Sequence, residues 1–264
     1  MEQEKLVNYI TILGDNSMIL GQRLGELCGH GPELETDIAL TNISLDLFGQ
    51  VRNYFQYAAE VEGKGRTEDD FAMLRLEHEY KNSLLVEQPN TDFAFVIVRQ
   101  FFYDVFQRLL MKSLINSKND QLAAIAKKSI KEVEYHFDFS STWMKRLGDG
   151  TGESHERVQH AVNELWRFAM DLFKETETEK WAAEMGLGPD LNESYYKFSV
   201  NKDNAIRFGM GAIKGVGASA VKAIVGERKL NGPYLSIFDL SQRVDLRAAN
   251  KKAFDSLAAA GAFD

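Results

Sequence analysis

The stretch DFAFVIVRQFFYDVFQRLL, residues 92–110, sets Phe95, Ile97, Phe101, Phe102, Val105, Phe106, Leu109 and Leu110 around nearly every side of a helix. Asp92 stands where an N-cap belongs. A helix that is apolar almost all round has to be enclosed by others, so this segment predicts the centre of an all-α bundle. The flanking sequence supplies the enclosing helices. Ile10, Leu13, Leu20, Leu24 and Leu27 recur at helical intervals until His30-Gly31-Pro32. Glu35 to about Val61 repeats the pattern through Ile38, Ile43, Leu47, Val51, Tyr54, Phe55 and Ala58, ending in Glu62-Gly63-Lys64-Gly65. A third helix is expected from Glu68 to about Leu85, where Val86-Glu87-Gln88-Pro89-Asn90 breaks it. Beyond the central helix, Asp120 opens another through Leu122, Ile125, Ile130, Val133, Phe137 and Trp143, closed by Leu147-Gly148-Asp149-Gly150. Val158, Val162, Leu165, Ala169 and Leu172 extend the pattern towards Met185. Long helices with short glycine-bearing connections describe an antiparallel bundle.

Charge divides the chain in two. From Tyr195 to Asp264 there are 11 Lys and Arg against 6 Asp and Glu, which leaves 20 against 33 upstream. A basic segment behind an acidic one points to different partners for each. Gly186-Leu187-Gly188-Pro189-Asp190 is the natural boundary, giving domains 1–188 and 189–264. Beyond it glycines fall at 209, 211, 215, 217, 226, 232 and 261, and helices become short. The overall charge of −8 argues against nonspecific nucleic-acid binding by the whole chain. Cys28 has no second thiol for a disulfide or metal cluster, which suits a reducing cytoplasm and a role as a small buried hydrophobe. No apolar run approaches the roughly 20 residues of a membrane span, and Met1-Glu2-Gln3-Glu4-Lys5 is not a signal-peptide start.

An acidic helix bundle invites a di-iron reading, which needs a Glu from each of two helices and Glu-x-x-His from two more. The residues three before His30, His78, His136, His155 and His160 are Leu27, Arg75, Val133, Gly152 and Arg157. None is acidic. Glu132 and His136, four apart on one face, are the nearest imitation, and a single such pair cannot hold two metals. The expectation is a metal-free, cofactor-free bundle in which Glu132 and His136 form a degenerate polar pair, inside the bundle or between subunits. His155 and His160 are expected on the surface. Trp143 and Trp166 are expected to anchor the bundle or an interface, and Glu175, Glu177 and Glu179 to form a solvated helix end.

Five segments, Leu20 to Glu26, Asp46 to Asn53, Leu85 to Asn90, Lys131 to His136 and Leu165 to Phe168, closely resemble the non-catalytic C subunits of bacterial phenylacetyl-CoA monooxygenase, the ring 1,2-epoxidase. The likeness runs in order and spacing from near residue 5 to about 190. It implies a ferritin-like fold without metal ligands. It also implies an iron-bearing catalytic A subunit as partner, in a complex that epoxidises phenylacetyl-CoA with oxygen and a reductase's electrons. Family members continue with a further helical stretch that this chain replaces after about Asp190.

In the tail, Ala205–Ile213, Lys214-Gly215-Val216-Gly217 and Ala218–Arg228 read as helix, tight glycine hairpin, helix. Gly215 and Gly217 permit positive φ and close backbone approach. The amides that follow open a helix, where an anion is favoured. Lys214, Lys222 and Arg228 would add charge for salt-sensitive contact with a nucleic-acid backbone. A glycine C-cap between two packed helices explains the same Gly-x-Gly. With Asn192-Glu193-Ser194, Ile206 to Gly209, Phe238-Asp239-Leu240 and Asn250 to Asp264, this region resembles the helix-hairpin-helix region of the bacterial DNA polymerase III α subunit. The resemblance implies contact of Lys214, Gly215, Val216, Gly217, Lys222 and Arg228 with a duplex DNA backbone. A second, glycine-free unit around Arg243-Val244-Asp245-Leu246 is read as structural. Nothing resembles that family's carboxylate-bearing palm, so DNA synthesis is not expected. The sequence thus describes a structural subunit fused to a polymerase-like tail. A DNA-binding protein acting through the tail is the alternative, and an independent di-iron oxygenase is a further one that the ligand count opposes.

Overall fold

A computed structural model describes residues 2–191, 198–200, 206–208, 218–232, 234, 237–245 and 247–259. The chain divides into two compact units, Met1–Leu191 and Asn192–Asp264. The first is built on α1 (Glu2–Gly25), α2 (Leu34–Glu62), α4 (Phe93–Leu114) and α5 (Asp120–Gly148), with α3 (Glu68–Met73), α6 (Gly152–Ala169) and α7 (Glu177–Glu184) around them. Two antiparallel pairs, α1 with α2 and α4 with α5, form the layers, and α6 packs on α4. Gly14 allows the first pair to close, since a Cβ there would lie 2.2 Å from Phe55 Cε1. The aromatic ring of Phe55, fully buried, occupies the space instead.

As the sequence predicts, α4 is the enclosed helix, buried continuously from Ala94 to Asp104. Asp92 Oδ1 accepts the Phe95 N–H at 2.8 Å and starts it. Asn119 caps α5 in the same way, through the Leu122 N–H at 3.0 Å. Gly63, at φ 65°, ends α2 in the left-handed region. Trp143 and Trp166 meet Phe93 and Phe102 edge to face, at centroid distances of 4.9 and 5.6 Å, and anchor the bundle.

Several expectations fail in this unit. Cys28 is exposed, because α1 ends at Gly25 and the thiol falls in the surface turn that follows. In that turn the Asp37 carboxylate accepts the N–H groups of Gly29 and Gly31, each at 3.0 Å, which holds its pKa below the ordinary range. The stripe from Val158 does not reach Met185 as one helix. It gives way at Met170–Phe173 to a 3-10 turn, and Thr176 and Glu179 cap a separate α7. Glu179 is thereby half-buried rather than solvated, and burial raises its pKa.

The largest of these failures is at α3. The helix from Glu68 stops at Met73, and residues 74–92 cross the bundle as a strap with one 3-10 turn, Glu77–Glu79. Polar side chains of α1 and α4 give this strap the partners a helix would have supplied. Asp15 accepts the Lys81 N–H at 2.8 Å and Asn16 the Ser83 N–H at 2.8 Å. Arg23 donates to the Glu87 carbonyl at 3.1 Å. Arg99, wholly buried, donates to the Gln88 carbonyl and, at 2.7 Å, to Asn90 Oδ1. Burial, reinforced by the nearby Arg23 charge, pushes the Arg99 guanidinium down to about 9.

The second unit has its own core. Ala220, Val221, Ile224, Leu240, Val244, Ala249, Ala253 and Leu257 pack together from α8 (Ala218–Asn231), α9 (Ile237–Arg243), α10 (Lys251–Ala259) and the connection between the last two. The sequence predicts a helix over Ala205–Ile213, whereas Ile206–Phe208 forms a strand, β2, paired antiparallel with β1 (Phe198–Val200). The remainder of that predicted helix lies outside the described residues. Arg243 ties α9 to α8 through Glu227 at 3.1 Å and to Asp239 at 3.0 Å, and its guanidinium lies over Tyr234. In the glycine-free second unit Val244 belongs to this core and Arg243 to these ion pairs, while Leu246 lies outside the described residues.

Candidate functional site

Polar residues spaced four apart occur on each of the three helices lining the centre of the bundle. Asp46 and Gln50 belong to α2, Gln100 and Asp104 to α4, and Glu132, His136 and Ser140 to α5. One-turn spacing sets each group on one face, and the helix pairing brings the faces together. Gln50 Nε2 donates to Glu132 Oε2 at 3.2 Å. His136 Nε2 lies 3.0 Å from Asp46 Oδ2. Ser140 Oγ donates to Asp104 Oδ2, and Gln100 Nε2 to Asp104 Oδ1, both at 2.7 Å. His136, Gln50, Gln100, Asp104 and Ser140 are all buried.

The pair Glu132 and His136 therefore does not close on itself. Each member reaches across to α2, one rung apart. Burial raises the Glu132 carboxyl, with the neighbouring Asp46 adding to the rise and the Gln50 hydrogen bond opposing it. Asp104 is pushed up to about 7 by burial, against the opposing influence of His136, Ser140 and Gln100. Asp104, Gln100, Asp46 and Gln50 escape a sequence reading that begins from histidine. Their signal was the polar i, i+4 pair inside an otherwise apolar helix, since buried polar groups need partners.

The ladder does not fit a pair of iron ions. Among the described residues, no three His, Cys, Asp or Glu side chains converge closely enough to hold a metal. Both Asp104 oxygens, Glu132 Oε2 and His136 Nε2 are engaged by protein side chains instead. The arrangement can hold α2, α4 and α5 in register, since a slip of any one helix would leave buried polar atoms unpaired. His155 and His160 are exposed. No described helix is long and apolar enough to cross a membrane.

In the second unit, Lys222 and Arg228 are exposed on α8. Lys214, Gly215, Val216 and Gly217 lie outside the described residues. Arg247, Lys251 and Lys252 add exposed positive charge at and before α10.

Residues 1–204 match the family model described as phenylacetic acid catabolic protein. Residues 187–264 match that of the helix-hairpin-helix motif. The chain is similar to the C subunit of the 1,2-phenylacetyl-CoA epoxidase of Escherichia coli strain K12, 50% identical over 186 residues, covering 70% of this chain and 75% of that protein. It is also similar to DNA polymerase III subunit alpha of the same strain, 33% identical over 133 residues, or 50% of this chain and 10% of that one. The Chlamydia trachomatis polymerase subunit is 49% identical over 78 residues, 30% of this chain and 6% of its own length. The chain thus spans a tenth or less of these two polymerase subunits.

Proposed function

The chain belongs to the phenylacetic acid catabolic protein family, and from that membership we propose that its bundle is a non-catalytic structural subunit of a multisubunit phenylacetyl-CoA monooxygenase. In this reading residues 1–188 support an iron-bearing catalytic subunit in cytoplasmic phenylacetate breakdown, and residues 189–264 form a separate module. The observation that carries it is the ladder of Asp46, Gln50, Gln100, Asp104, Glu132, His136 and Ser140. In a ferritin-like bundle the space between these helices is where metal ligands would stand, and here the Asp46, Asp104 and Glu132 carboxylates and His136 are engaged by protein side chains. Such a bundle contributes surface and stability to a complex rather than a reacting centre.

Co-expression with the iron-bearing subunit of a phenylacetyl-CoA epoxidase tests this directly. The expected result is a stable stoichiometric complex on size exclusion, with iron following the partner and epoxidation absent from this chain alone. Stoichiometric iron in the chain purified by itself would overturn the reading.

A second reading rests on the helix-hairpin-helix match together with the exposed Lys222, Arg228, Arg247, Lys251 and Lys252. We propose that the tail contacts a duplex DNA backbone through Lys214, Gly215, Val216, Gly217, Lys222 and Arg228. Fluorescence anisotropy with mixed-sequence duplex DNA should show affinity falling steeply with salt. Replacing Lys222 and Arg228 by alanine should lower the salt slope by about one for each phosphate no longer neutralised. Absence of binding at low salt would end this reading.

A further inference from the structure

We propose that the segment Met73-Leu74-Arg75-Leu76, where α3 passes into the strap, is a docking surface for a protein partner that presents an apolar depression bordered by Lys or Arg. The segment has its residues reversed relative to ordinary burial. Met73, Leu74 and Leu76 are 68%, 74% and 64% exposed, while the side chain of Arg75 between them is 7% exposed. Arg75 points inward to Asp15, with its Nη1 at 2.9 Å from Asp15 Oδ2, and its guanidinium lies over Tyr80 at 4.2 Å.

A flexible loop could fold its leucines away, but this segment is held. The buried Asp15 grips both Arg75 and the Lys81 N–H, and Glu79 Oε2 accepts the Leu76 N–H at 2.6 Å. The fold therefore fixes three large apolar side chains outward in four consecutive residues. Preorganised apolar anchors are what protein interfaces place at their centres.

Charge decides what kind of partner covers them. Asp69, Glu77 and Glu79 are exposed on either side of the anchors, in a segment that turns its one arginine inward. A second copy of this chain would set those carboxylates against their own kind. A partner with a basic rim is attracted and steered to the same place. The inference rests on the reading of the bundle as a subunit of a larger complex, and it names the surface through which that subunit holds its iron-bearing partner.

Affinity for the iron-bearing subunit, measured by biolayer interferometry with the full chain, tests it. Leu74→Lys with Leu76→Lys should weaken binding about 30-fold, the effect of losing a central anchor. Because both residues are exposed, the melting temperature should stay unchanged. Asp69→Lys with Glu77→Lys should slow association and reduce its dependence on salt. Leu34→Lys with Leu45→Lys, on the exposed side of α2, is the control and should bind like the parent. Parental affinity in the Leu74 and Leu76 variant, with the parent complex formed, would overturn the docking surface and leave the subunit reading standing. Failure of the parent itself to form a complex would remove both.

Discussion

Replacing Asp15 with alanine is expected to destabilise the N-terminal unit by about 3–5 kcal/mol, the cost of stranding one member of a buried ion pair. Asp15 is fully buried in the middle of α1, and its two oxygens receive the Arg75 guanidinium and the Lys81 N–H. The variant leaves an uncompensated cation and an unpaired backbone amide in the same small space. At roughly 2–4 °C per kcal/mol for a unit of this size, the melting temperature should fall by about 10 °C. Trp143, Trp166 and Trp181, the three tryptophans of the chain, all lie in this unit, so urea unfolding followed by tryptophan fluorescence reports on it alone. Adding Arg75→Met should recover part of the loss, because the double variant no longer buries a lone charge. A cost below about 1 kcal/mol for Asp15→Ala, well under the buried-pair range, would mean that the strap is not held by this residue.

Asp104→Asn is expected to stabilise the bundle at alkaline pH and to change little in acid. Burial raises the Asp104 carboxyl from the ordinary 3.8 to about 7, so the folded protein holds its proton more tightly than the unfolded chain does. The resulting stability is complete below about pH 4 and is lost as pH rises through 7. A rise of that extent corresponds to roughly 4 kcal/mol across the interval. Asparagine removes the titration and keeps the geometry. Its oxygen can accept from Ser140, and its amide can donate to Gln100 after that side chain turns over, which gives the otherwise unpartnered Gln100 Oε1 a donor. Urea midpoints measured from about pH 5 to pH 8 should therefore diverge, with the variant ahead at the alkaline end. Equal differences at both ends would show that Asp104 does not titrate in this range.

Both predictions concern residues whose importance lies outside their own helices. The sequence alone determined that residues 92–110 form an enclosed helix, that Asp92 caps it, that long helices surround it, and that no Glu-x-x-His motif exists. Those properties are local, because helical periodicity and capping involve neighbours within a few positions. The same local rules extended α3 to Leu85, buried Cys28 and drew a helix through Ile206–Phe208, and in each case a distant partner or the chain's path decided otherwise. The rungs of the ladder join residues 82 and 90 positions apart, and the tie between Asp15 and Arg75 joins residues 60 apart. A leucine pattern states that a side chain prefers apolar surroundings without saying which surface supplies them. Tertiary structure alone decided that Arg75 turns inward while Met73, Leu74 and Leu76 face out, because the buried carboxylate that the guanidinium meets, Asp15, stands on α1, 60 residues away in sequence.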